Sequence, residues 1–155
     1  MPSQIADRLA ELGITLPEAS TPAANYVSFA RAVKLLHVSG QVSRDAAGTP
    51  IRGRLGDGLD AEAGAAAART CALALIAQLK AACGGDLDQL VRVVKLTGFV
   101  NSAPDFTDQP KVVNGASDLM VEVFGERGRH ARSAVGVAAL PLGVAVEVEG
   151  VFEIA

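Results

Sequence analysis

The chain has 155 residues, half of them hydrophobic and a fifth charged, with a formal net charge of -3 at neutral pH. That length suits one domain with a core of its own. The acidic balance (pI near 5.3) argues against nucleic acid as the main partner, because phosphate binding needs a basic face. One Tyr, five Phe and no Trp also leave little to stack on single-stranded bases.

In chain order, Ser3 can cap a short helix carrying Ile5, Leu9 and Leu12 and ended by Gly13. A Pro-containing connector follows over Thr15 to Ala23. Residues 1–23 thus read as an N-terminal helical extension and connector, and residues 24–155 as the domain proper. Tyr26 to Ala30 and Lys34 to Ser39 are expected to form a hairpin around Arg31-Ala32. Asp45 to Pro50 is a turn. Arg52 to Gly58, with three glycines and two arginines, reads as an exposed, flexible loop. Its glycines look like a phosphate-binding loop but lack the GxGxxG spacing and a preceding strand. A long helix is predicted from about Ala61 to Cys83, closed by Gly84-Gly85. A Val-rich strand spans Leu90 to Val100. A second long helix runs from about Thr107 to Phe124, with Pro110 in its first turn.

The long alanine-rich helix carries one apolar stripe, Cys71, Leu75, Leu79 and Ala82, suited to a sheet. Leu73 and Ile76 lie on another side and predict a second contact face. Cys71 and Cys83 are twelve residues apart on that helix, about 18 Å, too far to bond within one chain; each reads as a small core residue. No CxxC, HExxH or His/Cys cluster is present, so no metal is expected. His37 reads as structural, and His130 stands beside Arg132. The opening Met1-Pro-Ser-Gln-Ile is not a charged-then-apolar leader. The apolar run near Ala72 to Ile76 is too short to cross a bilayer. The expectation is a cytoplasmic protein with no membrane partner.

The most informative stretch is Arg132 to Glu149. It reads as two strands around a Pro141-centred turn. Val144, Val146, Val148, Phe152 and Ile154 point one way, and Ala145, Glu147, Glu149 and Glu153 the other. A hairpin here would set Gly136 opposite Glu147 and Arg132 on the same sheet face, roughly 13 Å along the strand. That leaves a ligand-sized gap between a cation and a carboxylate. Arg132 suits a planar anion, which its guanidinium can grip with two parallel hydrogen bonds; an ion pair with Glu147, Glu149 or Asp118 is the plainer alternative. Glu147 can hold a water and take up a proton, or be one member of a solvated face with Glu149 and Glu153.

Ala131-Arg132-Ser133, Leu140-Pro141 and Val146-Glu147-Val148-Glu149 resemble the C-terminal signature of the reactive intermediate deaminase (Rid/YjgF) family, whose members are often labelled endoribonuclease L-PSP. Tyr26-Val27, His37-Val38-Ser39-Gly40-Gln41 and Asn114 extend the likeness over roughly residues 24 to 155. The resemblance implies an α+β, chorismate-mutase-like fold: one mixed sheet with two helices packed on one face, assembled as a homotrimer with sites in clefts between subunits. It implies cofactor-free hydrolysis of small 2-imino or enamino acids to 2-oxo acids and ammonia. Glu147 and Tyr26 would be catalytic. Arg132, Ser39, Gly40, Asn114 and Ala134 would bind a small carboxylate. The alternative is a non-catalytic, small-carboxylate-binding or regulatory trimer of the same fold. Ribonuclease activity is disfavoured because no histidine pair or basic groove is evident. The chain departs from the family pattern at His130, where a small residue or proline is usual, at Ala134, often cysteine, and at Gly136, usually larger and often charged. The segment from Gly48 to Asp60 is also longer than usual.

Overall fold

The computed structural model describes residues 3–155. Five strands form one mixed sheet: β1 (Phe29–Ala32), β2 (Leu35–Val42), β5 (Leu90–Asn101), β6 (Ala131–Val137) and β7 (Val146–Ile154), in the order β1-β2-β7-β5-β6. Two short strands, β3 (Arg54–Leu55) and β4 (Gly58–Leu59), pair separately. Helices α2 (Ala61–Ala82) and α3 (Gln109–Phe124) lie together on one sheet face. A short helix, α1 (Gln4–Glu11), packs on α3. This is the expected α+β arrangement of one mixed sheet and two helices on one side.

Local chemistry explains the element ends. Ser3 accepts a hydrogen bond from the Ala6 amide, and Asp88 accepts from the amides of Gln4 and Ile5. The exposed N-terminal donors of α1 are thereby satisfied. Asp60 caps α2 through the Ala63 amide. The first hairpin turns at Val33-Lys34, two residues later than its sequence suggests, because Ala32 pairs with Leu35. Tyr26 therefore lies in a bend before β1 rather than in it.

Helix α2 is long and apolar enough to cross a bilayer, which its five-residue apolar run alone does not reveal. Its apolar surface is used inside the fold, and Cys71, Leu75, Ile76 and Leu79 are all fully buried. Ile76 thus offers no second contact face. The buried arc of α2 is wider than one stripe because the sheet, α3 and the N-terminal region all pack around it. Gln78, itself buried, donates to the Ser20 carbonyl at 2.9 Å and ties the connector to α2. Leu73 is half-buried against the same core. The segment from Arg52 to Gly58 is likewise anchored, not free. Leu55 is completely buried, and Arg52 and Arg54 donate to the carbonyls of Leu142 and Ala138.

The C-terminal hairpin does not form. Strand β6 pairs in parallel with β5, Arg132 opposite Leu96 and Gly136 opposite Val100. Strand β7 pairs antiparallel with the other edge of β5, Glu147 opposite Phe99. The twelve-residue β5 occupies the middle, and residues 138–145 carry the chain past its end. Asn101 donates to the Val144 carbonyl and its amide to the Ala145 carbonyl, which holds that crossing in place.

The closest approach in the helical layer is at Gly115, where an added Cβ would sit 2.7 Å from the carbonyl carbon of Ala65. Alanine in place of glycine would favour a helix by about 1 kcal/mol, but here it must push two backbones apart. Gly115→Ala should therefore destabilise the protein by about 1–3 kcal/mol, the range for overpacking. A urea midpoint equal to or above the parent's would contradict this packing.

Candidate functional site

Alternation along β7 puts Val146, Val148, Phe152 and Ile154 against the helices and Glu147, Glu149 and Glu153 on the open face. Arg132 pairs with Leu96, which is fully buried under the helices. Its guanidinium accordingly reaches α3, where Nη1 donates to Asn114 Oδ1 at 2.8 Å and to Ser117 Oγ at 3.2 Å. Arg132 and Glu147 are on opposite faces of the sheet, not the same one. The expected gap floored by Gly136 does not exist. Gly136 lies on the helix side, where an added Cβ would meet Ser102 Oγ at 2.5 Å and Gln109 Nε2 at 2.7 Å.

The residues singled out from the sequence therefore fall into two groups. The first is Arg132, Asn114 and Ala134, at the sheet edge formed by β6 and α3. Both protons of Arg132 Nη1 are used by α3. Among the described residues, Nε has no acceptor, and Nη2 has only the Pro110 carbonyl at 3.5 Å, a long contact. No carboxylate pairs with Arg132 among the described residues, so the ion-pair alternative does not hold within this chain. The free Nε/Nη2 edge is the one suited to a two-point grip on a carboxylate. Ala134 packs against the core from the same strand.

The second group is Tyr26, Ser39, Gly40 and Glu147, on the open face. The β2–β7 register shifts between Val38 and Gln41, so Ser39 and Gly40 bulge out of the ladder. Bulges of this kind re-aim side chains beside sites. Ser39 Oγ donates to the Val27 carbonyl at 2.7 Å, which holds the Tyr26 segment over β2. Gly40 makes room for Glu147: an added Cβ would sit 2.9 Å from Glu147 Cδ and closer still to its Oε2. A depression of about 510 Å³ opens here, lined by Asn25, Tyr26, His37, Ser39 and Glu149 among others. Burial raises the Glu147 pKa above the ordinary carboxylate range, and the Glu149 charge adds to this.

Sequence reasoning assigns no role to Ser117, which touches Arg132, or to Ser102 and Gln109, which fill the space above Gly136. The helical spacing Asn114, Ser117 is a usable signal, because residues three apart share a face. His130, in the sequence only a neighbour of Arg132, bonds Ser117. No group of three His, Cys, Asp or Glu side chains placed to hold a metal occurs among the described residues.

Comparison with known proteins agrees with this architecture. Residues 6–153 match the YjgF/chorismate-mutase-like endoribonuclease family. The chain is 54% identical to Protein TCP17 of Trypanosoma cruzi over 97% of its own length and 94% of that protein's. Among solved structures, Agrobacterium tumefaciens Atu1372, of unknown function, is 47% identical with a TM-score of 0.90, covering 97% of this chain and 92% of that one. A candidate endoribonuclease from Shewanella oneidensis is 34% identical with a TM-score of 0.92, covering 97% and 99%.

A raised carboxyl pKa has a stability consequence. The folded chain holds the Glu147 proton more tightly than the unfolded chain does. Ionised Glu147 therefore costs stability, fully so once the pH has risen through the folded pKa, and not at all below the unfolded value of about 4.3. Glu147→Gln should raise the thermal midpoint at pH 7.5 and lose that advantage near pH 4. An unchanged or lower midpoint at pH 7.5 would show that the carboxylate is not held at a cost.

Proposed function

Because the chain belongs to the YjgF/chorismate-mutase-like endoribonuclease family, we propose that it hydrolyses small 2-imino or enamino acids to 2-oxo acids and ammonia, in a site completed by a second copy of the chain. The observation that carries this reading is the Arg132 guanidinium, fixed at Nη1 by Asn114 and Ser117 with its Nε/Nη2 edge open. Such an edge suits a substrate carboxylate. Glu147 of the same subunit cannot reach a ligand held by Arg132, because the sheet separates them. A homotrimer in which the β6–α3 edge of one subunit abuts the open face of the next would join the two groups. The open face supports such contact: it carries Leu35, 40% exposed, and Val135, 43% exposed, among Lys95, Thr97 and the three glutamates.

In this site Arg132 and Asn114 hold the carboxylate and orient the C=N carbon. The Glu147 carboxylate, lifted in pKa by burial, binds a water and takes its proton as the water oxygen bonds to that carbon. Glu147 returns that proton to nitrogen as the C=N π bond breaks, giving a carbinolamine. Glu147 then moves the hydroxyl proton to the same nitrogen, the C–N bond breaks as the C=O bond forms, and ammonia leaves with the 2-oxo acid. Tyr26, 59% exposed, lines the adjoining depression with Ser39 and Glu149, and from there its phenol can orient the water or the nitrogen. These steps require no metal or cofactor. A carboxylate-binding trimer without turnover is the second reading. It is favoured by Gly136, above which Ser102 and Gln109 stand where the family pattern has a larger residue.

Light scattering should find a trimer at micromolar concentration; a stable monomer would remove the shared site. Arg132→Ala should weaken binding of pyruvate by about 1.5–3 kcal/mol, the range for hydrogen bonds to a charged group. Equal affinity in mutant and parent would assign Arg132 to structure. With imines generated in solution from amino acids by a dehydratase, Glu147→Gln should slow ammonia release about 100-fold or more while leaving pyruvate binding largely intact. Glu149→Gln should do much less. The rate should also fall with decreasing pH at a higher pH than an ordinary carboxylate would dictate, because Glu147 must be ionised to act as base. A parent that binds pyruvate but releases no ammonia from any imine would favour the second reading.

A further inference from the structure

Arg132 is steered by more than its two direct partners. His130 Nδ1 lies 2.6 Å from the Gly128 carbonyl oxygen. A carbonyl only accepts, so Nδ1 carries the proton and Nε2 of the neutral ring is an acceptor. The Ser117 hydroxyl, 2.9 Å from Nε2, must then donate to it. This leaves the Ser117 oxygen lone pairs to accept the Arg132 Nη1 proton at 3.2 Å. The direction of every proton in the chain follows from the single carbonyl at its end. The usual alternative for a mid-helix serine is to donate back to the carbonyl four residues earlier. In this helix the hydroxyl is instead drawn outward to His130.

Resting on the carboxylate reading of Arg132, we propose that His130 is a positioning residue: through Ser117 it holds Arg132 Nη1 against α3 and so keeps the Nε/Nη2 edge open for the ligand. Without His130 the Ser117 hydroxyl is free to turn back to its own helix, and Arg132 loses one of its two fixed acceptors. The guanidinium can then rotate away from the orientation that a two-point grip needs. Burial and the neighbouring Arg132 charge hold the His130 pKa below its ordinary value, against the opposing pull of the Gly128 carbonyl; both favour the neutral ring that the chain requires. His130 also stands where the family pattern has a small residue or proline.

The test uses the full chain, its variants H130A, S117A, S117T and H130A/S117A, and pyruvate as the probe. Each single alanine should weaken pyruvate about five- to tenfold, roughly the net worth of one ordinary hydrogen bond, since the charged contact itself is loosened and not removed. The double variant should be no weaker than the worse single, since both changes cut one chain. S117T keeps the hydroxyl and should match the parent. Multiplying losses in the double variant, or parental affinity in a folded H130A, would overturn the proposal. A ligand-free arm separates this outcome from failure of the carboxylate reading. Nitrogen-15 NMR should find His130 protonated at Nδ1, and the Arg132 Nη1 protons should exchange slowly in the parent and faster in H130A and S117A. If pyruvate does not bind the parent, the carboxylate reading fails and this arm decides alone; equal exchange in all three proteins overturns the relay.

Discussion

The position of β5 between β6 and β7 is the constraint on which the site depends. Side chains alternate strictly across a strand, and paired residues share a face. Pairing Arg132 with Leu96 sends the guanidinium to the helix side, and pairing Phe99 with Glu147 keeps that carboxylate on the open side. No rotamer change can bring the two together, because a hydrogen-bonded sheet lies between them. A chain with its cation and its carboxylate on opposite faces of one sheet can join them only across a boundary between copies. The same constraint orders the energetics: the helix-side face is a closed core of Val, Leu and Phe152, and the open face keeps its charges.

Each half of the site is prepared by a local departure from regular structure. On the open face the bulge at Ser39-Gly40 interrupts the β2–β7 ladder, and the missing side chain at Gly40 is the space into which Glu147 folds. Burial there lifts the pKa of Glu147, which is the direction a general base acting near neutrality needs. On the edge, α3 supplies acceptors from Asn114 and Ser117, one helical turn apart, to hold one end of the guanidinium and leave the other open. The N-terminal helix supports this edge from behind. It packs on α3 and donates from Arg8 to the Glu122 carbonyl at 2.9 Å, so α1 also braces the helix carrying Asn114.

Much of this is legible in the sequence. Ser3 marks the start of α1 by capping and Pro110 the first turn of α3 by its fixed backbone angle, signals that act within a few residues. The alternation from Val146 to Ile154 gives the correct inner and outer faces of β7, whereas Ala145, expected beside the glutamates, is buried in the core because it precedes the strand and is held at the crossing by Asn101 and Ile51. Apart from the two-residue shift of the first hairpin turn, the misreadings share one cause, which is long-range partner choice. Arg132 to Glu149 has the local marks of a hairpin, and only the competition of β5 for both edges shows otherwise. Ile76 looks exposed on a helical wheel because the wheel knows nothing of a third neighbour such as the N-terminal region. Leu55, in a glycine-rich loop, is buried because the space between α2 and α3 near Gly64 receives it. Ser117 and His130 are visible as residues, but their link depends on the Gly128 carbonyl, which no spacing rule places.

In the proposed assembly Arg132 and Glu147 serve one site from two copies of the chain, and subunit complementation tests this most directly. R132A and E147Q proteins, each inactive alone, are dissociated together, mixed in equal amounts and reassembled. If the site is shared, random assembly pairs an intact Arg132 with an intact Glu147 at roughly a quarter of the boundaries. Imine hydrolysis should return to about that fraction of the parental rate. If mixed assemblies form and no activity returns, both residues must act within a single subunit, and a site shared between copies is contradicted.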